Sequence, residues 1–358
     1  AAHHAVLQLI WAFCLCLRTA SAAGRAPESS RLLGSRRSGV CVVTDVDDTI
    51  KSSGGVMLFG VPLGGVDKSF TRGSYYPGVF QFGLELSLHG VSSDMRAQSM
   101  AILTARAIEF FAFLEIKQDS TICSGFRDAG IRAATPQASG WGVGDILYGS
   151  VQEWICQQRK GWRKIQNFDL LCERHAKLDT PPDRYIFVGD NGWSERDEEA
   201  LEGISKTGKL AAAFIHAVTD DVNHAAILPS DRVTAEGAPV LYFRTYVGAA
   251  LKALDHGLLA PEAVTRILDE AERQAAGDSV NMGKDSISCR VFVEDVACAK
   301  AALNARGART TSAMNGDASG NEQACAHSSG DESVSSGSDV MESRVAAVPP
   351  QSDDESTR

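Results

Sequence analysis

Four short apolar runs, each ending on a polar residue, restrict what this chain can fold into. Gly39-VCVVTD leads into Asp45-Val46-Asp47-Asp48-Thr49, and Met100-AILT ends at Thr104. Arg184-YIFVGD ends at Asp190, and Leu210-AAAFIH ends at His216. Compact runs of Val, Ile and Leu without polar alternation are the pattern of strands buried on both faces of a parallel sheet. Segments with helical spacing fall between them, over roughly 79–88, 105–117, 147–158 and 163–174. Alternating strands and helices predict an α/β fold, a mostly parallel sheet with helices on both faces. Ligands of such sheets sit beyond the carboxyl ends of the strands. Asp45, Asp47, Thr104 and Asp190 are therefore expected to meet in space, although the first and last are 145 positions apart.

Composition narrows the function classes. The 358 residues are 44% hydrophobic and 22% charged, which excludes a wholly disordered chain, a collagen and a multi-span membrane protein. With 35 basic against 45 acidic residues the net charge is −10, so the basic footprint of a nucleic-acid binder is missing and no nucleic-acid partner is expected. Nine cysteines are spread thinly with no CxxC pair, which indicates neither a zinc ribbon nor a disulfide scaffold.

The two ends differ from the middle. Residues 5–17, AVLQLIWAFCLCL, are an uncharged apolar run of 13 residues, shorter than the ~20 that a membrane-spanning helix needs. Arg18 and Thr19-ASAAG follow, and Ala20-Ser21-Ala22 fits a small-x-small cleavage pattern. The stretch 1–23 reads either as a secretory signal lacking its basic start or as a buried helix. The first reading implies the secretory pathway and the second the cytoplasm. Residues 24–38 read as a polar linker. A stretch at 288–307 is expected to form a strand and a helix. From about 307 the chain is rich in Ser, Gly, Asp and Glu; nine acids face three arginines there. Such a segment buries too little apolar surface to offset its ordering entropy and is expected to be disordered. The domain expected to carry function is 39–272, followed by a mostly disordered acidic tail over 273–358 whose partners, if it has them, are unknown.

The order and placement of these residues resemble the haloacid-dehalogenase-like phosphatase superfamily. Its pattern is DxDxT after the first strand, Ser/Thr after the second, a Lys before a later strand, and a GD after that strand. Asp45, Asp47 and Thr49, then Thr104, Lys164 and Gly189-Asp190 match it in order. A closer resemblance, over about 220 residues, is to the catalytic domain of the actin-patch-associated phosphatidate phosphatase family. It is carried by Asp45-VDDTIKSSG, Tyr76-Pro77-Gly78, Ile102-LTAR, Trp141-GVGDILYGS, Gly161-WRKIQNF, Tyr185-IFVGDNG, Phe214-IH and Tyr242-FRTYVGAA. The GDNG and WGVG forms look like the branch found in single-celled eukaryotes.

The resemblance implies a Rossmannoid fold and a magnesium-dependent phosphatase working through an aspartyl-phosphate. It implies Asp45 as nucleophile and Asp47 as the general acid and base. The metal would be held by Asp45, the main-chain carbonyl of Asp47 and Asp190. Thr104 and Lys164 would bind the phosphoryl group, Thr49 would brace the loop, and Arg106 is either a phosphate contact or a solvated residue in the first turn of a helix. The family places a further Asp five residues after the GD aspartate. This chain has Glu195 there and Asp197 two residues later, and either is expected in the outer metal shell. The Pro that follows LTAR in the family is Ala107 here.

Within the insertion at 50–98, VMLFGVPLGGV reads as a hairpin flap hinged on Gly54, Gly55, Gly60, Gly64 and Gly65, or as core packing. The resemblance makes phosphatidic acid the first expected substrate, with peripheral membrane contact. The alternatives are a soluble phosphomonoester, a catalytically silent phosphate- or lipid-binding domain, and a phosphate-accepting receiver, which would not need Asp47.

Overall fold

A computed structural model of the chain describes residues 39–58, 61–62, 65–107, 116–149, 160–192, 197–218, 228–277 and 287–317. The chain divides into two units, 1–308 and 309–358, and the sheet belongs to the first. The apolar N-terminal run, the linker 24–38 and the acidic tail from 318 lie outside the described residues.

The first strand, β1 (Val40–Thr44), lies in the middle of a seven-stranded sheet. It pairs in parallel with β4 (Met100–Ala107) on one side and β6 (Arg184–Asp190) on the other. Outside β4 lies β5 (Val143–Gly149); outside β6 lie β7 (Leu210–His216), β9 (Pro239–Phe243) and the short β8 (Arg232–Val233). Every pairing is parallel except β8 with β9. The chain moves from β1 to β4 on one side and later to β6 on the other. This reversal of direction beside β1 is the place where open sheets leave a crevice at the strand ends.

Side-chain alternation along the strands divides the core in two. Val42, Ile102, Ile186, Val188, Phe214 and Phe243 point to one face. There they pack with α1 (Val79–Leu88), α2 (Thr121–Ala133), α5 (Tyr246–Asp255) and α6 (Pro261–Ala275). Cys41, Val43, Leu103, Phe187 and Ile215 point to the other, against α3 (Lys160–His175) and α4 (Asp197–Ser205). Each large side chain buried this way is worth about 1.5–3 kcal/mol. Two helix starts are written in the sequence. Ser120 accepts from Cys123 N to cap α2, and Thr245 accepts from Gly248 N to cap α5.

The expected α/β architecture is the observed one, and helix 79–88 agrees with α1. Four readings need correction. The stretch 105–117 does not begin as a helix, because β4 runs on through Ala107 and residues 116–117 are not helical; 108–115 lie outside the described residues. Past Thr104 the pairing slips, with Thr104 opposite Tyr148 and Ala107 opposite Gly149, so β4 bulges there. The stretch 147–158 begins as the end of β5, and 150–159 lie outside the described residues. Strand β5 was missed because it is a half-exposed edge strand whose sequence, VGDILYG, interrupts its apolar residues with Gly and Asp. Residues 288–307 form no strand but part of one helix, α7 (Ile287–Asp317), so helical backbone also replaces the disorder expected over 307–317.

The boundary expected at 272 falls inside α6. Phe292, Val296 and Ala299 of α7 are buried with Val247, Leu268 and Ala271, so the core continues past it. The expected hairpin is present as β2 (Met57–Leu58) antiparallel to β3 (Val61–Pro62). Among the described residues no helix is long and apolar enough to cross a membrane.

Candidate active site

Where β1 ends, Asp45 N still donates to Val188 O at 2.9 Å, which keeps the chain against β6 for one more residue. It then turns tightly: Ile50 N donates to Val46 O at 2.8 Å, and Asp48 N to Lys51 O at 2.7 Å. Asp48 takes the left-handed conformation, φ 60°, which Asp tolerates better than most residues. Its carboxylate accepts three amides, Ser53 N at 2.8 Å, Val66 N at 2.6 Å and Asp67 N at 2.8 Å. It thus joins the residues before and after the hairpin. A Cβ on Gly65 would lie 2.0 Å from Asp48 Oδ2, so only glycine lets this grip form. Burial, with the neighbouring Asp67 carboxylate, pushes Asp48 up to about 7.

Asp45, Asp190 and Asp197 converge beyond β1 and β6, each offering a carboxylate oxygen within 4.8 Å of the others. All three are buried. Lys164, fully buried on α3, reaches between them. Its Nζ lies 3.3 Å from Asp45 Oδ1 and donates to Asp197 Oδ1. Lys164 is placed by a stripe of buried residues, Lys160, Lys164, Asn167, Phe168 and Leu171, that turns one face of α3 to the sheet. Asp197 stands at the start of α4 and also accepts Asp190 N at 3.1 Å. Gly189 makes that approach feasible, since a Cβ there would lie 2.3 Å from Asp197 Oδ2. Asp190 Oδ1 accepts Gly192 N at 2.6 Å, but its Oδ2 is buried with no hydrogen-bond partner among the described residues. Burial, then the charges of Asp197, Asp48 and Asp45, pushes the Asp190 carboxyl well above the ordinary range. Three buried carboxylates this close repel one another when ionised, and burying charge is costly. A cation that takes oxygen ligands would offset that repulsion, so the cluster could hold a metal ion.

Asp47 is not one of these three acids. Arg106 grips it with both arms of the guanidinium, Nε to Oδ2 at 2.8 Å and Nη2 to Oδ1 at 2.7 Å. Burial would raise the Asp47 carboxyl, but the Arg106 guanidinium, aided by Lys51 and Lys160, holds it below its usual value. Thr104 is buried on β4, and its hydroxyl accepts Arg106 N at 3.2 Å. Thr49 braces the loop through its main chain, accepting the Tyr246 hydroxyl at 2.7 Å. Its own hydroxyl is buried with no hydrogen-bond partner among the described residues.

The structure therefore brings Asp45, Asp190 and Lys164 together as expected. Asp197 joins them, while Glu195 lies outside the described residues. Arg106 is a strand residue in the β4 bulge, not a solvated residue in a first helical turn. Asp48, Lys160 and the hydrogen-bonding role of His216 were missed. Lys160 could have been found from its spacing, one helical turn before Lys164 on the same face. Asp48 and His216 had no such signal, because their partners are main-chain groups distant in sequence.

Comparisons of the chain with protein-family models, with curated proteins and with solved structures each returned no match.

Proposed function

We propose that the chain is a magnesium-dependent phosphatase that hydrolyses a phosphomonoester through an aspartyl-phosphate on Asp45. The observation that carries this reading is the meeting of Asp45, Asp190 and Asp197 with Lys164 at the carboxyl ends of β1 and β6, with Asp47 two residues beyond Asp45. The buried Asp190 Oδ2 and the all-carboxylate donor set fit a small, hard divalent ion, for which Mg²⁺ is the default. When bound, such an ion would offset the repulsion between the Asp45 carboxylate and a phosphate dianion.

In the first step an Asp45 oxygen forms a bond to phosphorus while the bond from phosphorus to the leaving oxygen breaks, and Asp47 gives its proton to that oxygen. In the second step water forms its bond to phosphorus, the Asp45–phosphorus bond breaks, and Asp47 takes a proton from the water. Lys164 stabilises charge on Asp45 and on the phosphoryl oxygens, and Thr104 donates to one of those oxygens. The motif resemblance makes phosphatidic acid the first substrate to test, at a peripheral membrane contact.

The test is phosphate release in Mg²⁺ from phosphatidic acid in liposomes and from soluble esters. Asp45→Asn is expected to abolish release, and Asp47→Asn to slow it by ~10²–10⁴. Release that survives Asp45→Asn would overturn the covalent mechanism. Activity on phosphatidic acid no better than on small esters would remove the lipid assignment and leave the phosphatase.

A further inference from the structure

Both carboxylate oxygens of Asp47 are engaged by Arg106. A general acid must carry its proton on an oxygen that faces the leaving group. While the guanidinium holds both oxygens, the carboxyl is fixed in the pair and only the second lone pair of each oxygen is left for another partner. Turning the carboxyl to a leaving group means opening the pair, and a group that competes for the guanidinium opens it.

We propose that Arg106 is shared between Asp47 and the phosphoryl group of the substrate. The arriving phosphate takes the guanidinium and in doing so frees Asp47. The role in turnover rests on the phosphatase reading; the anion site itself does not.

Three features support the exchange. The guanidinium fork that fits a carboxylate bidentately fits two phosphate oxygens equally well. The pair is also within reach of a ligand. Arg106 and Asp47 side chains keep 15% and 13% of their surface, whereas Lys164 and Asp45 keep 0% and 1%. Finally, the bulge in β4 begins just past Thr104, so Arg106 follows, by two residues, the hydroxyl expected to meet the same phosphoryl group.

The competition has a signature in binding alone. Inorganic phosphate is titrated by calorimetry, in Mg²⁺, into the wild type, Arg106→Ala, Asp47→Asn and the double variant. Arg106→Ala is expected to weaken phosphate binding at least about tenfold, the loss of one charge-assisted bidentate contact. Asp47→Asn releases Arg106 from its competitor and is expected to tighten binding several-fold. That tightening is expected to vanish in the Arg106→Ala background, because the two residues then act through one interaction. Arg106→Lys keeps the charge without the fork and is expected to fall between wild type and Ala; it carries the measurement should the Ala variant not fold, as judged by its thermal transition. Equal tightening by Asp47→Asn in both backgrounds would show simple charge repulsion and overturn the exchange. Unchanged affinity in both Arg106 variants would make the pair purely structural and overturn it too. The expected binding pattern without hydrolysis of any ester would support the exchange while removing the phosphatase reading.

Discussion

The His216 ring and the main chain of Asp48, 168 positions apart, meet with Nδ1 2.7 Å from the Asp48 carbonyl oxygen. The other nitrogen, Nε2, faces Arg244 O at 3.2 Å. The end of β7 thereby holds the loop that carries Asp45 and Asp47. Burial lowers the His216 pKa, and a neutral imidazole has only one N–H to donate. The shorter contact assigns that hydrogen to Nδ1. The ring also stacks on Phe243 and meets Tyr76 edge-on. His216→Phe retains an aromatic ring there but leaves the Asp48 carbonyl without its donor. The expected cost is about 1–3 kcal/mol of unfolding free energy, measured by urea denaturation. A loss of no more than about 0.3 kcal/mol would mean the carbonyl finds another partner.

Lys164 and the acid cluster should respond to metal together. In Lys164→Met, Asp45 and Asp197 lose the ammonium group that pairs with both, beside Asp190. Breaking a buried pair in this way typically costs about 3–5 kcal/mol. A divalent ion that binds only the folded chain restores stability in proportion to its concentration over its Kd. The expected result is a large fall in Tm in chelator and a greater Mg²⁺-induced rise than the wild type shows. A variant whose Tm ignores Mg²⁺ and other divalent ions would argue against a metal at these carboxylates.

The acid cluster was legible to the extent that it sits on strand ends. Asp45 and Asp190 follow apolar runs of β-branched and aliphatic residues, and parallel pairing of β1 with β6 places them side by side. Lys164 was legible only through the order of motifs, since nothing in a helical lysine announces that it is buried. Asp197 was left level with Glu195 because the spacing in the resembling family favours position 195 and the residue type favours position 197. The fold starts α4 at Asp197 and turns its carboxylate to Asp190 N, while Glu195 lies outside the described residues. Asp48 was hidden for a different reason. Its three partners are main-chain amides, which carry no residue signature. Helix α7 was misread because its β-branched residues, Val291, Val293 and Val296, look like a strand locally. Burial of Phe292 and Val296 against α5 and α6, with the Thr245 hydroxyl donating to Asp295 at 2.6 Å, overrides that preference.

Gly189, inside β6, leaves the space that the Asp197 carboxylate occupies. The added methyl of Gly189→Ala would lie 2.3 Å from Asp197 Oδ2 and 2.8 Å from Phe187 Cε1. Asp197 would have to withdraw from Asp190 N and from Lys164. The expected outcome is at least about tenfold weaker Mg²⁺ binding by calorimetry, equivalent to roughly 1.4 kcal/mol, with the chain still folded. Unaltered metal affinity would show that Asp197 does not act on the ion.

A pair remote from the site gives a pH dependence whose sign can be fixed. Asp145 on β5 lies 3.4 Å from His175 Nε2 and accepts Arg174 Nη1 at 2.9 Å. The hydrogen bond from His175, and then, against the burial that opposes it, the bond from Arg174, hold its carboxyl below its ordinary value of 3.8. A carboxyl depressed on folding contributes stability above its unfolded value, and that contribution is lost as pH falls through the folded one. Asp145→Asn is therefore expected to be less stable than the wild type near neutrality by about 0.2–1 kcal/mol, the range for part-exposed pairs. The gap should narrow as the pH falls past 3.8 and close once it passes below the depressed folded value, where the wild-type carboxyl is protonated as well. Urea unfolding at the two conditions measures it. A gap that persists undiminished in acid would assign the loss to packing and remove the ionic contribution.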